Sequence, residues 1–266
     1  MTEAPARPRR RSYSAMSLYL KCPRQYHAKY ILRLPEEPSV WSVGGVAFHQ
    51  VAEWLLDGTL GENPQAYRLR DAWDAAWKLA YEDVVTRDPS VNPDMDTWRK
   101  ANRGAEHASW WRGRGFQMVL DFAEWWPASG LTVLDLDGPA VERRFETELG
   151  GVPVLAIPDA LVVDEHGQID VLDYKSGKPP KDSLQLGVYA AALRAATDLD
   201  ATYGLYYMTR DVRAIPVDLS KWPHDKVTGL FVDFHTRESA GDYTPTPSKE
   251  ACKFCPLKTE CDSAIR

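Results

Sequence analysis

No run of about 18 apolar residues occurs in the 266-residue sequence, which excludes a membrane-spanning helix. The arginine-rich start (Arg7, Arg9, Arg10, Arg11) leads into no apolar stretch of secretory type, so no signal peptide is expected. Cysteine is scarce, at four residues. Without a secretory signal these thiols are expected in a reducing cytoplasm, where a metal site is favoured over a disulfide framework. Internal repeats and low-complexity runs are missing as well. What remains is ordinary globular composition, 44% hydrophobic and 26% charged. A chain of this length forms one large domain or two small ones, with a core that needs no disulfide or metal to be stable.

Charge is unevenly spread. Residues 1–33 carry eight Lys/Arg against Glu3 alone, a net +7 that leaves −13 for the rest of a chain of net −6. An acidic body argues against indiscriminate duplex binding but allows a narrow basic channel. Residues 1–12 read as a disordered basic tail, with a grip on a nucleic-acid backbone as the alternative.

From Ser14, a candidate N-cap, a helical pattern begins; it should break at Cys22-Pro23, where proline suits the first position of a new helix. A further helix is expected over 45–56, stopped by Gly58. Residues 60–130 read as a helical insertion holding most of the tryptophan: nine of ten Trp fall between Trp41 and Trp126. They form a core of large side chains or, alternatively, a platform for unstacked bases. The period then switches to two. Val141, Phe145 and Leu149 share one parity, a second strand is expected over 152–164, and a third over 168–175. A helix of about 16 residues near Asp182, two strands and a last helix follow, making an α/β fold with a small sheet flanked by helices.

Glu165-His166-Gly167 reads as a three-residue hairpin loop with glycine at the position of positive φ. Asp164 then pairs with Gln168, and the register places Asp159 directly across from Asp173, their Cβ atoms about 4.5–5.5 Å apart. Carboxylates so close repel unless a cation lies between them, and oxygen ligands select a hard ion such as Mg²⁺ or Mn²⁺. Alternation puts Lys175 on the same face as Asp173, where its charge can offset one developing on a phosphate. Cys22 and Cys252-x2-Cys255-x5-Cys261 form a second group able to converge on one metal centre, a Cys₄ zinc site or an iron–sulfur cluster.

Pro158-Asp159 followed by Asp173-Tyr174-Lys175 resembles the PD-(D/E)xK nuclease signature in its RecB-like form. Gly44 through His49 resembles that family's helix with a metal-binding histidine. Gln185 to Tyr189 resembles its Q-x-x-x-Y motif, and Ser14 to Tyr30 its N-terminal cysteine segment. The resemblance covers residues 12–56 and 140–261. It implies a restriction-endonuclease-like core in a single domain over 13–266. His49, Asp159, Asp173 and the Tyr174 carbonyl would hold Mg²⁺ or Mn²⁺, Lys175 would be catalytic, and Gln185 and Tyr189 would lie on the substrate side. Glu53 and Glu142 are further candidates for supporting or metal roles. RecB-like nucleases of the CRISPR-associated and AddB types also imply a [4Fe-4S] cluster on Cys22, Cys252, Cys255 and Cys261, with Zn²⁺ as the alternative. That cluster would staple the C-terminal segment (244–266) to the N-terminal one.

The expected function is therefore a metal-dependent DNA nuclease of a prokaryotic or phage cytoplasm, acting as an exonuclease on single strands or duplex ends. A DNA-end-binding or CRISPR-adaptation subunit that trims DNA before integration is the alternative. Recombination, repair or CRISPR-adaptation proteins are the partners so implied.

Overall fold

A computed structural model of the chain describes residues 10–253 and 255–265. In chain order these form α1 (Tyr13–Lys21), α2 (Pro23–Tyr26, continued by a π-helical turn His27–Ile31), α3 (Val40–Leu56), α4 (Ala66–Arg87) and α5 (Ala108–Ala128). Then come β1 (Thr132–Val133), β2 (Phe145–Leu149), β3 (Val152–Ala156), β4 (Ala160–Val163), β5 (Ile169–Lys175) and α6 (Leu184–Thr197). The chain ends in β6 (Tyr203–Met208), β7 (Arg213–Asp218), α7 (His224–Ser239) and α8 (Lys249–Cys252).

Local chemistry sets most boundaries. The first helix is capped by Ser12, two residues before the expected Ser14, because its Oγ accepts the Ala15 amide. Pro23 opens the second helix as expected. At the hairpin, Asp164 Oδ1 accepts the amides of His166 (2.9 Å) and Gln168 (2.8 Å), and Gly167 takes φ +80°. The β4–β5 register follows, with Ala160 opposite Leu172 and Val163 opposite Ile169.

The single strand expected over 152–164 is instead two. It breaks at Ile157-Pro158-Asp159, since proline has no amide to give a ladder. β3 pairs with β2 in a two-stranded sheet, whereas β4 enters a mixed sheet ordered β1-β4-β5-β6-β7 in which β5 and β6 run parallel.

The helices over 60–130 are not an appendage. α3, α4 and α5 share one core with the sheet face that presents Ala160, Val162, Leu172, Tyr174 and Tyr207. Trp73, Trp77, Trp98 and Trp111 are buried there and the other five of the nine are half-buried, so the core reading holds; a stacking platform needs open ring faces. The opposite sheet face packs Leu161, Val171 and Tyr206 on Leu186, Tyr189 and Leu193 of α6. A third cluster joins α1, α2 and α7 to the small sheet.

Most of the tail expected over 1–12 lies outside the described residues, but its end is fixed. Arg11 is buried and bridges Val154 as an added strand, and its guanidinium lies 2.7 Å from Glu238. Arg10 pairs with Glu146. These two arginines serve the fold. Arg11→Ala should lower stability by about 1–3 kcal/mol, because the part-buried Glu238 loses its ion pair and keeps the Tyr26 hydroxyl as a weaker contact. A urea midpoint equal to wild type would show that the pair contributes nothing.

Candidate active site

Asp173 and Lys175 leave β5 on one face, and Asp159 stands one step beyond the Ala160–Leu172 pair, across from Asp173. Asp159 Oδ2 accepts the Tyr174 amide (2.6 Å), which turns Oδ1 toward His49 Nδ1 on α3, 3.2 Å away. Glu142 arrives from the other side, its Oε1 3.9 Å from the same nitrogen. Its backbone sits at φ +45°, a conformation costly for a non-glycine residue, and is held there by its amide donating a hydrogen bond to the Asp159 carbonyl (3.0 Å). Among the described residues, His49, Glu142 and Asp159 form the group whose ligand atoms all come within 4.8 Å of one another.

Asp173 is 1% exposed. Its Oδ2 lies 2.5 Å from Lys175 Nζ, a charge-assisted contact. Lys175 also donates to Gln185 Oε1 (2.9 Å), and Gln185 Nε2 donates to the Tyr189 hydroxyl (2.9 Å). The expected substrate-side pair therefore fixes the lysine, one turn of α6 holding both polar groups on one face. The Tyr174 ring is buried against Phe48 and Phe122. Glu53 borders the site on α3, bonded to Gln50 (2.6 Å) and lying outside the three-ligand group. Burial and the charge of Glu142 push the Glu53 carboxyl up.

Burial by itself would lower the His49 pKa, but the charge and hydrogen bond of Asp159, helped by Glu142, raise it to about 10. Burial, reinforced by Asp159 and opposed by Lys175 and His49, raises Asp173 to about 7. Left to protons, then, the site binds them tightly: His49 as imidazolium on Asp159, and Asp173 part-protonated. The donor set is one imidazole and three carboxylates, with His49 one-third open to solvent, and it fits a divalent ion.

Metal and protons compete for the same atoms, so raising pH strengthens metal binding. Between pH 7 and 9 the Mn²⁺ affinity should rise by about tenfold per unit as one proton is displaced from His49, and more steeply below 7 as Asp173 adds a second. Calorimetry in buffers of different ionisation enthalpy reads the proton release. An affinity flat from pH 6 to 8 contradicts this site.

Two residues near the site escaped the sequence. Tyr206 pairs with Asp173 across the parallel β5–β6 ladder and sets its ring 5.8 Å under the Lys175 ammonium. Tyr13, at the start of α1, lies within the fields of Asp173 and Lys175, although burial dominates its raised pKa. No spacing pattern announces either, because both pairings depend on elements that meet only in the folded chain.

The cysteines lie outside the His49–Glu142–Asp159 group. Cys22 lies between α1 and α2, Cys252 ends α8, both are buried, and all four thiols are free. Burial pushes the Cys255 thiol up, the Leu257 amide opposes this, and Cys22, Cys252 and Cys261 each raise it further. One thiol thus senses the other three across the length of the chain. Thr246 Oγ1, donating to the Lys21 carbonyl (3.1 Å), docks the C-terminal segment beside Cys22.

Comparison with known proteins agrees with this geometry. A family model described as the PD-(D/E)XK nuclease superfamily matches residues 10–262. The chain is 32% identical over 266 residues to Gene 69 protein of Mycobacterium phage D29, covering 94% of this chain and 96% of that protein. It is 29% identical over 278 residues to Gene 69 protein of Mycobacterium phage L5, covering 94% and 95%.

Proposed function

The chain belongs to the PD-(D/E)XK nuclease superfamily, and on that premise we propose that it is a Mg²⁺- or Mn²⁺-dependent DNA nuclease of RecB-like type that trims single strands or duplex ends. The observation that carries this reading is the pairing of a metal-fit donor group, His49, Asp159 and Glu142, with the adjacent Asp173–Lys175–Gln185 chain. Asp173 and the Tyr174 carbonyl complete the set of groups that would hold the ion. When bound, a divalent ion supplies Lewis-acid stabilisation of the charge that develops on a phosphodiester.

The chain's own residues do the rest. Lys175 holds a positive charge where that phosphate would sit, and Gln185, anchored by Tyr189, fixes its direction. Asp159 spends one oxygen on the Tyr174 amide and keeps the other for the ion. The preference for ends rests on the RecB-like motifs, and similarity to two mycobacteriophage proteins over nearly their whole length supports a phage setting. A DNA-end-binding or CRISPR-adaptation subunit without cleavage has no use for a half-buried lysine held by two partners.

A [4Fe-4S] cluster on Cys22, Cys252, Cys255 and Cys261 is proposed as a staple. What supports it over zinc is the resemblance: one upstream cysteine with a C-terminal cysteine triplet matches the RecB-like nucleases of the CRISPR-associated and AddB types, whereas spacing alone suits either centre. The deciding experiment incubates anaerobically purified protein with 5′- or 3′-labelled single-stranded DNA, with Mn²⁺ or with EDTA. Mn²⁺-dependent shortening from one end is expected; binding without cleavage at any divalent ion overturns the nuclease reading.

A further inference from the structure

Arg210 lies two residues beyond Met208, the β6 residue paired with Lys175, and its side chain turns away from the chemistry. Its Nη1 and Nη2 donate to the two oxygens of Glu106 (2.9 and 2.8 Å), and its Nε donates to the carbonyl of Ser176, the residue after Lys175. The rings of Trp110 and Trp111 lie 5.3 and 5.2 Å from the guanidinium carbon. The Glu106 side chain is 8% exposed, so this pair is not a solvated surface contact. Its carboxyl is held below the usual range first by the Arg210 hydrogen bonds.

The neighbouring backbone is tied in the same direction. Thr209 donates its amide to the Lys175 carbonyl (3.0 Å), and the Arg210 carbonyl accepts from Arg114 of α5 (2.8 Å). Trp111 reaches the other half of the site. It packs so closely on Gly44 of α3 that a Cβ there would lie 2.2 Å from its ring, and α3 is the helix that presents His49. The first turn of α5 is thus a common reference for the strand end bearing Lys175 and the helix bearing His49.

Resting on the assignment of Lys175 as catalytic, we propose that Arg210 is a positioning residue. It locks the Lys175–Ser176 strand end to the tryptophan-rich helices and, through Trp111, to the His49 helix. Those helices then have a task beyond core filling: they set the separation between the lysine and the histidine-bearing half of the metal site. An arginine is required because a planar fork serves the Ser176 carbonyl and both Glu106 oxygens together; a lysine ammonium cannot span all three.

Arg210→Lys and Glu106→Gln separate this from simple stabilisation. Steady-state cleavage of single-stranded DNA with Mn²⁺ would be measured beside amide hydrogen exchange of the metal-free protein. Arg210→Lys should lower kcat by about 10–100-fold through a displacement near 1 Å, with KM within about twofold. Exchange should quicken at the Thr209 amide, which donates to the Lys175 carbonyl, while the interior of β6 and β7 keeps wild-type protection. Glu106→Gln keeps the Ser176 contact and should lose less than about fivefold in kcat. Wild-type kcat and exchange in Arg210→Lys would overturn the proposal, as would a kcat loss that merely tracks loss of folded protein. Should wild-type protein cut no DNA at all, the nuclease reading fails, and the exchange result still decides whether Arg210 locks this strand end.

Discussion

Asp173→Ala is expected to leave a folded protein whose cleavage rate falls by about three orders of magnitude, the equivalent of roughly 4 kcal/mol of charge stabilisation. The carboxylate is 1% exposed and faces Asp159 across the hairpin, in the group of acids whose repulsion an ion would relieve. Folding does not need it. Two buried carboxylates in one site repel, and Lys175, about a quarter exposed, keeps its bond to Gln185 when Asp173 is gone. Thermal unfolding should therefore match or exceed wild type.

The partner substitution behaves differently. Lys175→Ala strands Asp173 as a buried acid, which then stays protonated to higher pH than the present value of about 7. That raised pKa gives stability that is lost as pH climbs through it, so Lys175→Ala should weaken most above neutrality. Melting curves at pH 6 and 8.5, read beside end-labelled cleavage, test both. Full turnover by Asp173→Ala ends the assignment, and equal pH dependence of the two variants refutes the charge argument.

Cys22→Ser should bleach the visible iron–sulfur absorbance, lower the Tm by on the order of 10 °C and remove nuclease activity indirectly. Between Cys22 and Cys252 lie 229 residues, so a cluster joining them closes nearly the whole chain. Treated as a covalent loop of that length, it restricts the unfolded state by about 5 kcal/mol, an upper figure. Little else secures the C-terminal segment. Beyond Tyr243 its buried apolar anchors among the described residues are Ala251, Cys252 and Leu257, aided by the Thr246–Lys21 bond and the exposed Lys181–Glu250 pair. Iron and acid-labile sulfide should each analyse near four per chain, about the content of one [4Fe-4S] centre. Stoichiometric zinc without sulfide in anaerobic protein would replace the cluster with a Cys₄ zinc site. A Cys22→Ser protein of wild-type Tm would show that the fold stands without any staple.

The sequence by itself determined whatever depends on neighbours a few residues apart. Gly167 and the Asp164 side chain fix the hairpin, so the period-2 pattern carried Asp159 to its place opposite Asp173 with no knowledge of the rest of the chain. The break at Pro23, the stop at Gly58 and the shared helical face of Gln185 and Tyr189 followed in the same way. Only the tertiary structure decided which distant groups these elements meet. Glu142 reaches His49 because its left-handed backbone is bonded to Asp159, a contact no periodicity encodes. Pro158 splits the expected strand between two sheets, and Gln185 faces Lys175 instead of open solvent. Arg11 finds Glu238 across 227 residues, and Arg210 finds Glu106 across 104. The physical reason is range. Propensity, capping and alternation act within a turn or a hairpin, whereas the partner of a charge or the burial of a tryptophan is set by which faces pack, and that is a property of the whole chain.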